Sequence, residues 1–376
     1  MRTIMVTGGA GFMGSHFVKK LMAECPDDRI VVVDKLTYAG NVRNLPSGFL
    51  FPVSTRYASS WESSRLSFFR VDIGDNLMDW VFDGHSPVDV VVNFAAETHV
   101  DRSIREPEAF LQTDVMGLFN LVRLSKEFGV RKFIHISTDE VYGPISVQTL
   151  VNCWEVYDEA SETWALNPTS PYSASKACAD LLLLSYYKTY GFPVIIIRPC
   201  NNYGSNQYPE KLVPMAITRL LQGKKVLMHG EGKEVREWLY VEDCVSALYE
   251  VMNSGIVGEV YNLGSGFRLN NKRVVQDILL FTLFPRGYCI AHDEEDLLFE
   301  EWVDQVPNRP GNDSRYAIDS TKLVQGVMGM EGKYFEGEGF DFGIQKTIQW
   351  YRENEWFWSN VNLDANLYRE GNGYMR

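Results

Sequence analysis

The chain has 376 residues, 45% apolar and 23% charged, a balance that supports a packed core and excludes extensive disorder. Its net charge of −13 leaves no electrostatic footprint for nucleic acid or an anionic membrane surface. An anionic substrate must therefore be held by locally placed Arg, Lys and helix N-termini.

In chain order, short apolar runs at 3–6, 30–33, 88–94, 132–137 and 193–197 read as buried parallel strands, with helically spaced segments between most of them. This rhythm predicts an α/β fold over 1–200, a doubly wound parallel sheet. The first strand runs into Thr7-Gly8-Gly9-Ala10-Gly11-Phe12-Met13-Gly14. Glycines at 8, 11 and 14 suit a tight turn, close backbone approach to a pyrophosphate and close helix–strand packing. The second strand ends in Asp34, twenty residues after Gly14, where a carboxylate binds the adenosine ribose and repels a 2′-phosphate. Val71-Asp72-Ile73 places Asp72 toward the adenine, and Asn93-Phe94-Ala95-Ala96-Glu97-Thr98 gives small residues where a cofactor passes backbone. NAD is the expected cofactor.

Two helical segments, Ala109 to Phe128 and Ala177 to Tyr187, are apolar nearly all round. A helix lying on a sheet needs one apolar stripe, so the second face predicts a homodimer through these helices, or burial beneath the second lobe. The strand at 132–137 delivers Thr138, Asp139 and Glu140 at its C-terminal end, where open α/β sheets bind ligands. Tyr172 and Lys176 open the following helix behind Pro171, and their i, i+4 spacing puts them on one face. A phenol of pKa ~10 becomes a base when a neighbouring cation favours phenolate.

Beyond 200 the rhythm loosens into loops rich in Asn, Gly, Pro and Arg, which predicts a smaller C-terminal substrate lobe over 201–357, some of it returning to the first domain. The stretches 46–65 and 145–168 read as surface insertions, and 358–376 as a C-terminal extension. The six cysteines (25, 153, 178, 200, 244 and 289) show no Cys-x-x-Cys pair or metal-ligand spacing, so no metal site is expected. No apolar run approaches the ~20 residues that span a bilayer. The N-terminus carries no signal-peptide pattern, and the cytoplasm is the expected location.

Together these residues resemble the extended short-chain dehydrogenases/reductases, and within them the nucleotide-sugar 4,6-dehydratases. The resemblance spans roughly 1–350, through Thr7–Gly14, Asp34–Asn41, Phe94–Ser103, Ser137–Gly143, Tyr172–Lys176, Asn201–Gly204, Pro209–Leu212 and Trp238–Asp243. It implies a Rossmann-type fold and one mechanism. Tyr172, assisted by Lys176 and Thr138, takes the C4 hydroxyl proton as hydride leaves C4. Glu140 then removes the C5 proton while Asp139 protonates the departing C6 hydroxyl.

Cofactor contacts are then expected at Gly8, Gly11, Phe12, Met13, Gly14, Asp34, Lys35, Leu36, Thr37, Asp72, Ile73, Ala95, Ala96, Thr98, Thr113, Tyr172, Lys176 and Asn202. Contacts to the nucleoside-diphosphate hexose are expected at Thr98, Thr138, Asn201, Lys211, Leu212, Arg236, Asn271, Arg309, Asn312 and Tyr316. The family pattern Asp-Arg-Pro-Gly-His stands here as Asn308-Arg309-Pro310-Gly311-Asn312, which alters two polar positions at the nucleotide end. The segments 34–41 and 198–202 look more like members acting on dTDP-glucose than on UDP-glucose; both substrates stay open. Epimerases and decarboxylases share Tyr172 and Lys176 but generally lack the Asp139-Glu140 pair. A catalytically silent binding protein is the alternative from another class.

Overall fold

The computed structural model describes residues 1–46, 60–62, 65–145, 147–151, 154–284, 292–332 and 339–361. Its first part alternates β1 (Thr3–Thr7), α1 (Phe12–Glu24), β2 (Arg29–Asp34), β3 (Ser60–Glu62), β4 (Leu66–Arg70), α2 (Leu77–His85) and β5 (Val90–Asn93). Helices α3 (Val100–Arg105), α4 (Pro107–Phe110) and α5 (Leu118–Glu127) lead to β6 (Lys132–Ile136). A hairpin of β7 (Val147–Val151) and β8 (Trp154–Tyr157) precedes α6 (Pro171–Tyr190) and β9 (Val194–Pro199).

Each expected strand is present. They join one eight-stranded sheet in the order β13-β9-β6-β5-β1-β2-β4-β3, where β13 is Val260–Leu263. All pairings are parallel except β3 with β4. Successive residues enter two separate cores. Ile4, Val6, Ile30, Val32, Ile195 and Ile197 pack on one face, and Met5, Val31, Val33, Val194 and Ile196 on the other. A sheet covered on both faces needs continuous apolar runs, and each buried Val or Ile contributes about 1.5–3 kcal/mol. The strand order reverses between β1 and β5, which opens the ligand crevice at their C-terminal ends.

The remaining chain forms β10 (Asn201–Tyr203), α7 (Leu212–Leu221), β11 (Val226–His229), β12 (Val235–Tyr240) and α8 (Val241–Ser254). After β13 come β14 (Arg268–Asn270), α9 (Asn271–Leu283), α10 (His292–Trp302), β15 (Val303–Val306), α11 (Thr321–Gly326), α12 (Phe340–Glu353) and α13 (Glu355–Trp358). Two small sheets, β10-β12-β14 and β11-β15, form the lobe over the crevice. β13 returns to extend the main sheet, and α8 packs against α1.

Several expectations need correction. The segment 109–128 is not one regular helix: Leu111–Gly117 is a π-helical stretch between α4 and α5. Part of the 145–168 stretch, read as a surface insertion, forms the β7–β8 hairpin. A boundary at 358 cuts α13, whose Phe357 and Trp358 are buried and whose Trp358 indole donates to the Tyr351 carbonyl at 2.8 Å. Most of the 46–65 stretch and everything beyond 361 lie outside the described residues. No described helix is long and apolar enough to cross a membrane.

Candidate active site

One cleft of about 400 Å³ runs along the C-terminal ends of β1, β2, β5 and β6 and under the lobe. At one end lies the glycine loop. A Cβ on Gly14 would stand 2.3 Å from the Gly8 carbonyl oxygen, and one on Gly8 2.6 Å from the Ala95 nitrogen. The Gly14 contact closes the glycine turn on itself, and the Gly8 contact brings the loops after β1 and β5 together across the switch point. Asp34 holds the adjoining turn, accepting from the Ala10 and Leu36 amides at 2.9 and 2.8 Å. The Gly11 amide adds a third hydrogen bond, and burial raises the Asp34 pKa. Asp72 is already engaged: it pairs with Lys35 at 2.6 Å and accepts from the Gly74 amide at 2.9 Å. The Lys35 charge is thereby neutralised beside Asp34.

The catalytic candidates converge in the middle of the cleft. Ser170 caps α6 through a reciprocal box with Ser173, and Pro171 occupies the first turn, so Tyr172 and Lys176 project from a rigid helix end. Tyr172 is buried and its pKa is raised well above the phenol value. Burial is the main cause, followed by the charges of Glu140 and Asp114, while a hydrogen bond with Thr138 opposes the shift. Lys176 does not appear as the partner that the spacing suggested. Its ammonium donates to the Ile136 carbonyl at 2.6 Å, burial lowers its pKa, and Asp114 and Asp180 supply its counter-charges. In this state the phenol is a proton donor; a further positive charge in the cleft is needed to make it a base.

Asp139 and Glu140 open a short 3-10 turn capped by Thr138, whose oxygen accepts from the Glu140 amide at 3.3 Å. Asp139 is 2% exposed, and its Oδ2 has no hydrogen-bond partner among the described residues. Burial, then the carboxylates of Glu140 and Glu237, push it well above the usual carboxyl range. Burial also raises Glu140, but Arg309, Lys211 and Arg236 oppose that shift.

Toward the lobe, Arg236 donates to the Asp313 carbonyl at 2.7 Å and to Asn312 at 3.2 Å, and stacks 4.5 Å from the Tyr316 ring centroid. Arg309 approaches Asp101 at 3.7 Å, yet its buried Nε has no hydrogen-bond partner among the described residues. A guanidinium left this incompletely paired is a receptor for an anion. Of the expected site residues, all line the cleft except Leu36 and Tyr316. Tyr316 sits behind Arg236 and donates to Asp313 at 2.6 Å.

Sequence reasoning missed a set of polar and charged residues, of which His99, Asp101 and Asp114 are buried. Tyr38 donates to Glu210 at 2.8 Å beneath the Arg102 guanidinium, and Arg102 pairs with Glu97 at 3.3 Å. His99 lies 3.8 Å from Glu210 and 3.9 Å from Asp101. Burial pushes His99 well down and Glu210 up to about 7. Asp114, on the π-helical stretch, accepts from the Glu97 amide at 2.9 Å and the Ser175 hydroxyl at 2.7 Å, and burial raises it to about 6. Its signal was available as an acid in the middle of a greasy segment.

Residues 4–264 match the NAD dependent epimerase/dehydratase family. The chain belongs to that family. Among epimerase/dehydratase relatives, the dTDP-glucose 4,6-dehydratase of Neisseria meningitidis serogroup B is 40% identical, over 99% of this chain and 100% of its own. That of Escherichia coli is also 40% identical, over 96% of each chain. The dTDP-glucose 4,6-dehydratase of Streptomyces venezuelae, solved with NAD bound, superposes with a TM-score of 0.79 at 38% identity, covering 95% of this chain and 98% of that one. A UDP-glucose 4-epimerase from Thermotoga maritima reaches a TM-score of 0.75 at 28% identity, covering 94% of this chain and 99% of that one.

Proposed function

We propose that this chain holds NAD in the cleft and converts dTDP-glucose to its 4-keto-6-deoxy derivative. The observation that carries the reading is the Asp139–Glu140 pair, adjacent carboxyl groups in unequal fields beside Tyr172. The close glycine contacts and the Asp34 carboxylate at the end of β2, which lines the cleft, fit a dinucleotide with an unmodified adenosine ribose. NAD held by the glycine turn and Asp34 would supply a reversible hydride acceptor, leaving the sugar with no net oxidation.

Tyr172 takes the C4 hydroxyl proton, with Thr138 orienting the same hydroxyl. The 4-keto group acidifies the C5 hydrogen, which the cation-faced Glu140 removes as a base. Asp139, kept protonated by burial and by the neighbouring carboxylates, protonates the leaving C6 hydroxyl. Arg236, Arg309 and Lys211 hold the diphosphate. In this division of labour the sheet domain carries cofactor and chemistry, and the lobe carries the nucleotide.

The exposed Leu111, Met116, Phe119 and Leu181 lie on the packed pair formed by the 111–127 segment and α6. They support a homodimer through these helices. A cytoplasmic location agrees with where NAD and sugar nucleotides are supplied.

The test is incubation of the protein with dTDP-glucose and with UDP-glucose, following the alkali-induced absorbance of a 4-keto sugar. Product from dTDP-glucose at the higher kcat/KM is expected. Faster turnover of UDP-glucose would reassign the nucleotide, and silence with both would overturn the reading.

A further inference from the structure

Strands β5, β1 and β2 lie side by side in the main sheet. The chain leaving their C-terminal ends carries Thr98 and His99 after β5, the glycine turn and the first turn of α1 after β1, and Tyr38 after β2. One segment of the lobe, residues 205–211 between β10 and α7, is fastened to all three.

After β1, Asn206 Nδ2 donates to Ser15 Oγ at 3.1 Å, and His16 Nε2 donates to the Ser205 carbonyl at 3.0 Å. Asn206 is buried with a left-handed backbone (φ 65°), a conformation that asparagine adopts more readily than most residues. After β2, the Tyr38 hydroxyl donates to Glu210 Oε1 at 2.8 Å, and the Tyr38 ring meets Tyr208 edge-on at 5.1 Å. The Arg102 guanidinium holds that ring from 4.2 Å. After β5, Lys211 Nζ donates to the Thr98 carbonyl at 2.5 Å, and His99 Nε2 lies 3.8 Å from Glu210 Oε2. The segment is anchored to the lobe by the Tyr351 hydroxyl of α12, which donates to the Gln207 carbonyl.

The segment and the glycine turn face one cleft: Gln207, Tyr208 and Glu210 line it together with Gly8, Gly11 and Gly14. A pyrophosphate on the turn meets the N-terminus of α1, whose first turn carries Ser15. The ties to Tyr38 and to Thr98 lie on either side of that turn, because β1 runs between β2 and β5.

We infer that residues 205–211 are a strap that holds the dinucleotide in the crevice between hydride removal and hydride return. The inference rests on the hydride-returning reaction proposed above. A cofactor that takes hydride from one carbon and must give it back to another stalls the cycle if it leaves in between. The glycine turn and Asp34 bind the dinucleotide, and the strap sets how fast it leaves. Each tie must part before the segment lifts, so weakening any one raises the open fraction and the release rate with it.

The experiment loads the full-length protein with radiolabelled NAD, adds excess unlabelled NAD and follows loss of label by rapid gel filtration. Tyr38→Phe removes only the hydroxyl and keeps the ring beneath Arg102. Asn206→Gly removes the side-chain tie and keeps the left-handed backbone. Each should release label roughly fivefold faster, about the worth of one hydrogen bond, and the double variant roughly twentyfold faster. Turnover of dTDP-glucose without added NAD should decay with time in the variants and be restored by adding it. If Tyr38→Phe gives no cooperative thermal transition, Asn206→Gly decides. Label lost at an unchanged rate from the folded variants, even with a lowered Tm, reduces these bonds to structural ones and overturns the strap while leaving the dehydratase reading intact. A protein that takes up no NAD and forms no keto sugar overturns the functional reading itself.

Discussion

Asp139 and Glu140 are neighbours in the chain but sit in unequal fields. Asp139 is buried against the carboxylates of Glu140 and Glu237, whereas Glu140 faces Arg309, Lys211 and Arg236. One position is held as an acid and the next is eased toward a base, which a symmetric pair of exposed carboxylates could not achieve.

The division of roles predicts separate phenotypes. Glu140→Gln should block elimination yet permit partial reduction of bound NAD on adding substrate, visible near the nicotinamide absorbance. Asp139→Asn should lower kcat by about 10²–10⁴-fold, the usual worth of a positioned proton donor. Full dehydratase activity in either variant would remove that residue from the mechanism.

The pH profile should carry the same signature. Glu140 must be ionised, and burial raises its pKa, so activity should fall on acidification from a higher pH than an ordinary Glu would give. Arg309→Met removes the largest charge opposing that shift. The acid limb of kcat at saturating substrate should then move further up in pH; an unmoved limb would mean that Arg309 does not tune Glu140.

Asp114 makes a prediction about stability. Burial pushes its pKa in the folded protein up to about 6, above the ordinary carboxyl value of 3.8, so its stabilising contribution is complete below the unfolded value and is lost as pH rises through 6. The loss is on the order of 3 kcal/mol for a shift of this size. Asp114→Asn keeps an acceptor for the Glu97 amide, and Ser175 can rotate to serve the new amide. The variant should therefore gain thermal stability relative to the unaltered protein between pH 4 and 7. A constant difference in Tm across that range would refute the linkage.

At the glycine loop, Gly14→Ala places a Cβ 2.3 Å from the Gly8 carbonyl oxygen. Backbone on both sides leaves nothing flexible to yield, so NAD occupancy of the purified protein should collapse. Occupancy measured after acid release should be near stoichiometric without the substitution.

The exposed Leu181 and Phe119 give a test of association. Leu181→Glu combined with Phe119→Glu should convert a dimer to a monomer in sedimentation at micromolar concentration. A monomer before substitution would already dispose of the proposed interface.

The strands and glycine turn were legible in the sequence because their signals are local: apolar runs of Val and Ile, and glycine at fixed offsets. Tyr172 and Lys176 were legible by spacing, but their expected pairing was not what formed, because the Ile136 carbonyl on β6 captured the ammonium. The unequal fields on Asp139 and Glu140 depend on Glu237, Arg236 and Arg309, which arrive from the lobe about a hundred residues or more downstream. No window around position 140 contains that information. Asn312 lines the cleft, and its amide also donates to Glu234 and Asn308, a partnership visible only once β12 and the 308–312 loop are brought together.

The return of β13 to the main sheet has a consequence for how the protein is made. Val260–Leu263 covers the edge of β9, so a nascent chain ending near residue 200 would present β9 with one row of unpaired amides and carbonyls. Such an edge is a template for pairing with other chains. The nucleotide-binding sheet therefore cannot finish assembling until the translating ribosome has released residue 263, well into the lobe. Cofactor and substrate portions of this enzyme mature as one cooperative unit, and a fragment cut at the apparent domain border should aggregate instead of behaving as a detachable module.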